Sequence, residues 1–280
     1  MDLEKYYETD RVAEFIRVHC FTTVALQFPD YLLKDSKSVL MALRGAIPSP
    51  VKLYVMADTT YGSCCVDEVG AAHVNAECIV HYGHTCLSPT STLPALFVFG
   101  KDSISAETCA SSLLDYGMKS SKPILVLFGL EFAHAMPEIK EAVTCGGREQ
   151  LSSEVVYADV LSSVVTPPET FSDVNHTLST SECHQQEKVQ NYRIGGLSWS
   201  LPIDRKMDDY LIFWIGSNNQ AFANVVLTFN GCDIVRYDAS EACLAFDLSE
   251  QKRILKRRYY LVEKVKEANM IGILVGTLGT

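Results

Sequence analysis

Residues 78–86 read Cys78-Ile79-Val80-His81-Tyr82-Gly83-His84-Thr85-Cys86, and residues 211–219 read Leu211-Ile212-Phe213-Trp214-Ile215-Gly216-Ser217-Asn218-Asn219. Both are a five-residue strand-like run, a glycine and a short polar turn. Working outward, the same order recurs upstream of each. Thr23–Phe28, Lys52–Met56, Cys78–His81 and Leu96–Phe99 form one set of four expected strands. Pro123–Phe128, Glu154–Ala158, Tyr210–Ile215 and Asp233–Tyr237 form the second, with 53–56 (LYVM) facing 155–158 (VVYA). One four-stranded unit used twice is the simplest account of that self-similarity.

Amphipathic stretches separate the strands of the first set, at Asp10–His19, Ser36–Arg44, Val66–Ala76 and Ala106–Tyr116. Apolar strands alternating with helices make an α/β fold: tandem similar domains with small, mostly parallel sheets flanked by helices. A third copy is expected to open at Ile271–Val275, followed by Gly276-Thr277-Leu278-Gly279, and to be truncated there. The expected domains are therefore 1–118, then 119–245, then 246–280 as a linking helix and the start of the truncated third. A polar insertion at 166–190 interrupts the second domain with Pro167-Pro168 and many Ser, Thr, Glu and Gln residues.

Composition narrows the function. Of 280 residues 48% are hydrophobic, enough for a sizeable core, and the formal charge of -10 speaks against general nucleic-acid binding. No run of about 18 apolar residues predicts a membrane span. The charged start Met1–Asp10 lacks the pattern of a secretory signal. A cytoplasmic protein follows, and with it the expectation that most of the ten cysteines are reduced thiols. By the same token Asn175-His176-Thr177 is a coincidental match to the glycosylation pattern.

Functional residues of a parallel sheet gather on loops leaving the carboxyl ends of its strands. Two such loops carry cysteines: Ala57–Cys65 after the second strand and Tyr82–Cys86 after the third. If those strands are neighbours, Cys64 or Cys65 meets Cys86. Adjacent cysteines rarely point the same way, so one ligand is expected from the pair, with Cys65 preferred. Cys65 would also stand just before the helix expected at 66–76, whose free N–H groups favour a thiolate. Three chemistries fit: tetrahedral zinc using His81, His84, Cys86 and Cys65; a Cys65 nucleophile with His84 as base; or iron–sulfur ligation. Cys20, Cys78, Cys109, Cys145, Cys232 and Cys243 read as small buried apolar residues instead. Cys183 and His184 lie in the polar insertion, away from rigid neighbours, and are not taken as ligands.

The stretches Ala57–Glu68 (ADTTYGSCCVDE) and Ile79–Pro89 (IVHYGHTCLSP) closely resemble the diphthamide biosynthesis proteins. Ala25–Asp30 (ALQFPD) and Arg257-Arg258-Tyr259-Tyr260 fit the same family, and the resemblance runs from about Tyr7 to the last residue. It implies three similar α/β domains around a 4Fe–4S cluster held by three cysteines. It also implies radical use of S-adenosylmethionine to place a 3-amino-3-carboxypropyl group on a histidine of translation elongation factor 2. Within the family the loop 159–163, which lacks a cysteine, points to the second subunit of a heterodimer. Cys65, or its neighbour Cys64, and Cys86 then match cluster cysteines. The first subunit would hold S-adenosylmethionine and generate the radical, and an electron-donor protein would feed the pair. This chain would support catalysis, by electron transfer or as a cluster-free scaffold or truncated isoform, rather than catalyse alone. The basic run Lys252–Arg258 is either a solvated helix face or a partner contact.

Overall fold

The computed structural model describes residues 3–48, 50–56, 63–146, 154–168 and 189–273. In chain order α1 (Leu3–Tyr6) and α2 (Thr9–Val18) lead into β1 (Thr23–Gln27), α3 (Ser36–Ala46), β2 (Lys52–Met56), α4 (Glu68–His73), β3 (Cys78–Tyr82) and β4 (Ala95–Val98). Next come α5 (Ala106–Gly117), β5 (Ile124–Phe128), α6 (Met136–Cys145), β6 (Val155–Tyr157) and the short β7 (Asp159–Val160) and β8 (Val164–Val165). A hairpin of β9 (Val189–Ile194) and β10 (Leu197–Pro202) precedes β11 (Leu211–Ile215), α7 (Gln220–Thr228), β12 (Asp233–Asp238), β13 (Cys243–Ala245) and α8 (Ser249–Lys266).

The chain forms two compact units, Met1–Asp102 with Asp159–Arg205, and Ser103–Ala158 with Lys206–Thr280. In the first, the sheet order is β2-β1-β3-β4-β8; the first four strands are parallel and β8 closes the edge antiparallel. In the second the order is β6-β5-β11-β12-β13, again four parallel strands and an antiparallel edge. Taken in each unit's own sequence order, both sheets run second, first, third, fourth. The repeat read from the sequence is thus a repeat of topology. It extends to the connections, because β1 and β5 each enter a 3₁₀ turn, Asp30–Asp35 and Leu130–Ala135, and then a helix. The α/β class with small, mostly parallel sheets is what the structure shows.

Strands buried on both faces read as continuous apolar runs rather than alternating ones, and β3, β5 and β11 are buried at every position. In the first unit one sheet face sets Val24, Leu26, Cys78 and Val80 against Val12 and Ile16 of α2 and Val39 and Leu43 of α3. The opposite face sets Ala25, Ile79 and Phe97 against Met56 and Ala71, so α4 lies over the side of the sheet that carries the cysteine loops. Helix starts follow local chemistry. Ser105 caps α5 by accepting the Thr108 N–H, and Asn219 caps α7 by accepting those of Ala221 and Phe222.

Several expectations shift. The helix expected at Val66–Ala76 is the shorter α4, because Asp67 turns back and its carboxylate accepts the Gly70 N–H at 2.8 Å, so the first helical residue is Glu68. The fourth strand starts and ends one residue earlier, at Ala95–Val98. Cys78 and Cys109 are buried as expected, but Cys232 is half-buried and Cys20, Cys145 and Cys243 are exposed. The exposed ones sit where elements end: Cys20 adopts the left-handed region (φ 55) just beyond α2, and Cys243 opens the edge strand β13. Residues 252–266 of α8 are exposed apart from half-buried Ile254 and Leu255, so the basic run lies along an open helix. Ala57–Gly62, Asn175–Thr177, Cys183, His184 and residues 274–280 fall outside the described residues.

Candidate metal centre

The two cysteine loops leave β2 and β3, which are not neighbours: β1 runs between them and pairs with both. The expected adjacency is corrected, yet the loops still meet, because both rise beyond the carboxyl end of β1. The order β2-β1-β3 makes this the place where successive connections leave in opposite directions, the usual location of a ligand crevice in an open α/β sheet.

There the Cys65 Sγ lies 3.8 Å from the Cys64 Sγ and 3.8 Å from the Cys86 Sγ. All three sulfurs fall within 4.8 Å of one another, the only such metal-competent group among the described residues. All three cysteines are half-buried.

Their backbone is tied down from the sheet below. His81, near the end of β3, contacts the Ser63 carbonyl through Nε2 at 3.1 Å, so the buried neutral ring carries its proton on Nε2 and donates it. The Cys64 carbonyl accepts the Thr85 hydroxyl at 3.2 Å and the Cys86 N–H at 3.1 Å. The Cys65 carbonyl accepts the Gln27 amide at 2.8 Å. Three consecutive carbonyls of the turn are therefore held by residues of β1, β3 and the loop after β3. Gly83 lets that loop turn sharply: its φ is 86, and a Cβ there would stand 2.7 Å from the Tyr31 hydroxyl oxygen.

The far side of the Cys86 loop is anchored by Glu68. Its carboxylate accepts the N–H groups of Ser91, Thr92 and Leu93 and the Thr92 hydroxyl, at 2.6–3.1 Å. Partial burial works to raise the carboxyl pKa, but these hydrogen bonds outweigh it and hold the group below the usual carboxylate range. Glu68→Gln is expected to lower stability by about 1–2 kcal/mol at pH 7, by removing charge-assisted bonds on a part-exposed side chain. The contribution exists above the unfolded carboxyl pKa and is lost as pH falls through the depressed folded value, so variant and wild type should converge in acid. Denaturant titrations at pH 7 and pH 3 check this.

The thiols divide in character. Burial pushes the Cys65 thiol up to about 12, and its contacts with Cys64 and Cys86 add to the rise. Cys64 is raised as well, first by burial and then by the charge on Cys86. Burial acts the same way on Cys86. There it is overcome by the Ser88 hydroxyl, 3.0 Å from the sulfur, by the Ser88 backbone N–H and by the two neighbouring thiols, and the net direction is down. Cys86 is thus the thiol of the three that most readily gives up its proton. The expectation that a helix start would activate Cys65 does not hold, because α4 begins three residues later and its cap is Asp67.

Two chemistries left open by the sequence are not assembled among the described residues. His81 spends Nε2 on the Ser63 carbonyl, packs against Phe97 and is driven down to about 4 by burial; neither it nor His84 joins the sulfur group. A mixed His/Cys zinc set is therefore absent. No hydrogen bond joins His84 to Cys65, so the Cys–His nucleophile lacks its base. What remains is a soft, sulfur-only donor set, suited to iron–sulfur ligation or thiolate-bound zinc. Spacings of 3.8 Å match two thiolates on one tetrahedral ion with bonds of about 2.3 Å. A cluster that gives each thiolate its own iron would need the sulfurs farther apart than these spacings.

Comparison with known proteins adds three findings. The family model for diphthamide synthesis proteins matches residues 28–280. Curated relatives named 2-(3-amino-3-carboxypropyl)histidine synthase subunit 2 match over 99% of this chain, at 35% identity in Danio rerio and 33% in Schizosaccharomyces pombe. The chain spans about half of their length, 53% and 50%. Among solved structures, Dph2 of Pyrococcus horikoshii with a 4Fe–4S cluster aligns with a TM-score of 0.59 at 16% identity, covering 92% of this chain and 65% of the archaeal one. At that identity the likeness concerns the fold. Among the described residues, no helix is long and apolar enough to cross a membrane.

Proposed function

This chain belongs to the diphthamide synthesis protein family, and from that premise we propose that it is an iron–sulfur subunit of the synthase that begins diphthamide formation. The substrate protein is translation elongation factor 2, the group added to its histidine is 3-amino-3-carboxypropyl, and the donor is S-adenosylmethionine, held by a partner first subunit. The observation that carries this reading is the convergence of Cys64, Cys65 and Cys86, sulfurs within 4.8 Å, at the carboxyl end of β1.

Cys65 and Cys86 would hold the cluster, with Cys64 as the neighbour able to replace Cys65. When bound, a 4Fe–4S cluster supplies the electron for reductive cleavage of S-adenosylmethionine, and an electron-donor protein replenishes it. This chain's own residues do the rest of the local work. Ser88 favours the charged form of the Cys86 sulfur, the form that binds a cation. Burial favours the protonated Cys65 thiol, so ligation there would have to release that proton. His81, Thr85 and Gln27 keep the turn from swinging out when the proton leaves.

The test is reconstitution under anaerobic conditions with the first subunit, elongation factor 2, dithionite and S-adenosylmethionine labelled in its aminocarboxypropyl moiety. The proposed function predicts label on one histidine of elongation factor 2, in an amount that depends on this chain and is lost when Cys65 and Cys86 are both alanine. Equal labelling by the double-alanine chain would make it a cluster-free scaffold.

A further inference from the structure

The duplicated unit supplies its own control for the residues under the cysteine turn. Across β1 and β3, Gln27 pairs with His81; across β5 and β11, Leu127 pairs with Trp214. The positions correspond: Gln27 and Leu127 each precede a phenylalanine, Phe28 or Phe128, and the residues after His81 and Trp214 lead into Gly83 and Gly216. In the second unit both side chains are buried, Leu127 wholly apolar and Trp214 apolar but for its indole N–H. The fold therefore closes this end of the second sheet with no side-chain hydrogen bond to the following loop from either residue, the indole N–H of Trp214 being buried without a partner. In the first unit both residues are polar and just as buried, Gln27 2% exposed and His81 1%.

A buried amide is costly unless its donor and acceptor are both used. Gln27 uses both on the cysteine turn: Nε2 donates to the Cys65 carbonyl at 2.8 Å, and Oε1 accepts the Asp67 N–H at 3.0 Å. These two groups flank Val66, so the amide grips the backbone on both sides of one residue. It fixes the direction in which the chain leaves Cys65 and enters the Asp67 cap of α4. Since β1 separates β2 from β3, no sheet hydrogen bonds can set the distance between the two cysteine loops. The loops are joined to each other at the Cys64 carbonyl, which accepts from Thr85 and from the Cys86 N–H, and Gln27, at the end of the intervening strand, fixes the next part of the turn, from Cys65 to Asp67, to the sheet.

We propose that Gln27 is a positioning residue that aims the Cys65 sulfur at Cys86, a role that rests on reading these thiols as ligands and that the second unit, with Leu127, does not need. His81 and Thr85 support the same turn from the other side.

Gln27→Leu places in the first unit the residue the second unit already carries, and Gln27→Glu keeps an acceptor for the Asp67 N–H while removing the donor to Cys65. Both are made in the 280-residue chain and checked by circular dichroism and melting temperature. In metal-free protein, iodoacetamide labelling of Cys65, read by peptide mass spectrometry, should speed up about fivefold or more in both variants as the turn opens locally. After anaerobic loading with iron and sulfide, iron retained against a chelator should fall about tenfold or more, and the electron paramagnetic resonance spectrum of the reduced state should shift or broaden. Folded variants with wild-type labelling rates and an unchanged spectrum would overturn the proposal. Wild-type chain that takes up neither iron nor sulfide would sink the ligand reading alone, and the labelling rates would still decide the role of Gln27.

Discussion

Replacing Cys65 with alanine is expected to lower iron retention on the order of 100-fold, and replacing Cys86 to do the same, whereas Cys64→Ala should cost only a fraction of that. The ranking follows from position. Cys65 is the middle sulfur, 3.8 Å from each neighbour, so its loss leaves no thiol in contact with both others. Cys86 is the one thiol pushed toward its charged form, so its loss removes the thiol that most readily gives up its proton. Cys64 contributes chiefly through its carbonyl, which accepts from Thr85 and Cys86 and survives the substitution. The measurement is iron and acid-labile sulfide per chain after anaerobic loading, beside a melting curve. None of the three sulfurs is part of the main apolar clusters, so the melting temperature should hold within a few degrees. Equal retention in Cys65→Ala and wild type would remove the site from consideration.

Stability should fall steeply between about pH 6.5 and pH 4 because of one residue, His81. Burial drives its pKa down from 6.5 to about 4, the Ser63 carbonyl offsetting part of that effect. The sign is that of a base that is hard to charge when folded. Above pH 6.5 it is neutral folded and unfolded, and its contribution is complete. Below that value the unfolded chain binds a proton that the folded chain resists, until the folded pKa is passed. A displacement of this size corresponds to roughly 3 kcal/mol at most, lost across that window. His81→Gln keeps a donor toward Ser63 and removes the titration. Its stability should therefore fall less than that of wild type between pH 7 and pH 4 in matched denaturant titrations. Parallel curves would mean that the ring is protonated in the fold without penalty.

The sequence carried the fold well because both units use strands buried on two faces, and such strands show as continuous apolar runs. Pairing 78–83 with 211–216 corresponds residue for residue to the observed registers of β3 on β1 and β11 on β5. The strand order was less legible. Nothing in the apolar pattern places β1 between β2 and β3, so the two cysteine loops were expected on neighbouring strands, and the hold of Gln27 on the Cys65–Asp67 turn could not be read. The one available signal was the contrast between Gln27 and Leu127 at matched positions. The length of α4 was also overestimated, because the small apolar residues Val69 to Ala76 keep a helical pattern while the asparagine after Val74 takes a positive φ and stops it. In the site itself, Cys65 and Cys86 were legible as residues and their chemistry was not. Whether a thiol is raised or lowered depends on Ser88 and on burial, and the role of the two histidines depends on where their rings turn.

The central claim is that these thiols hold an iron–sulfur centre rather than a lone tetrahedral ion. The most direct measurement is anaerobic purification together with the first subunit, followed by iron, sulfide and zinc analysis and a visible spectrum before and after dithionite. Iron and sulfide in matching amounts beyond the partner's own, bleached by dithionite and lost in Cys65→Ala, is the predicted result. Zinc without sulfide, lost in the same variant, would contradict it.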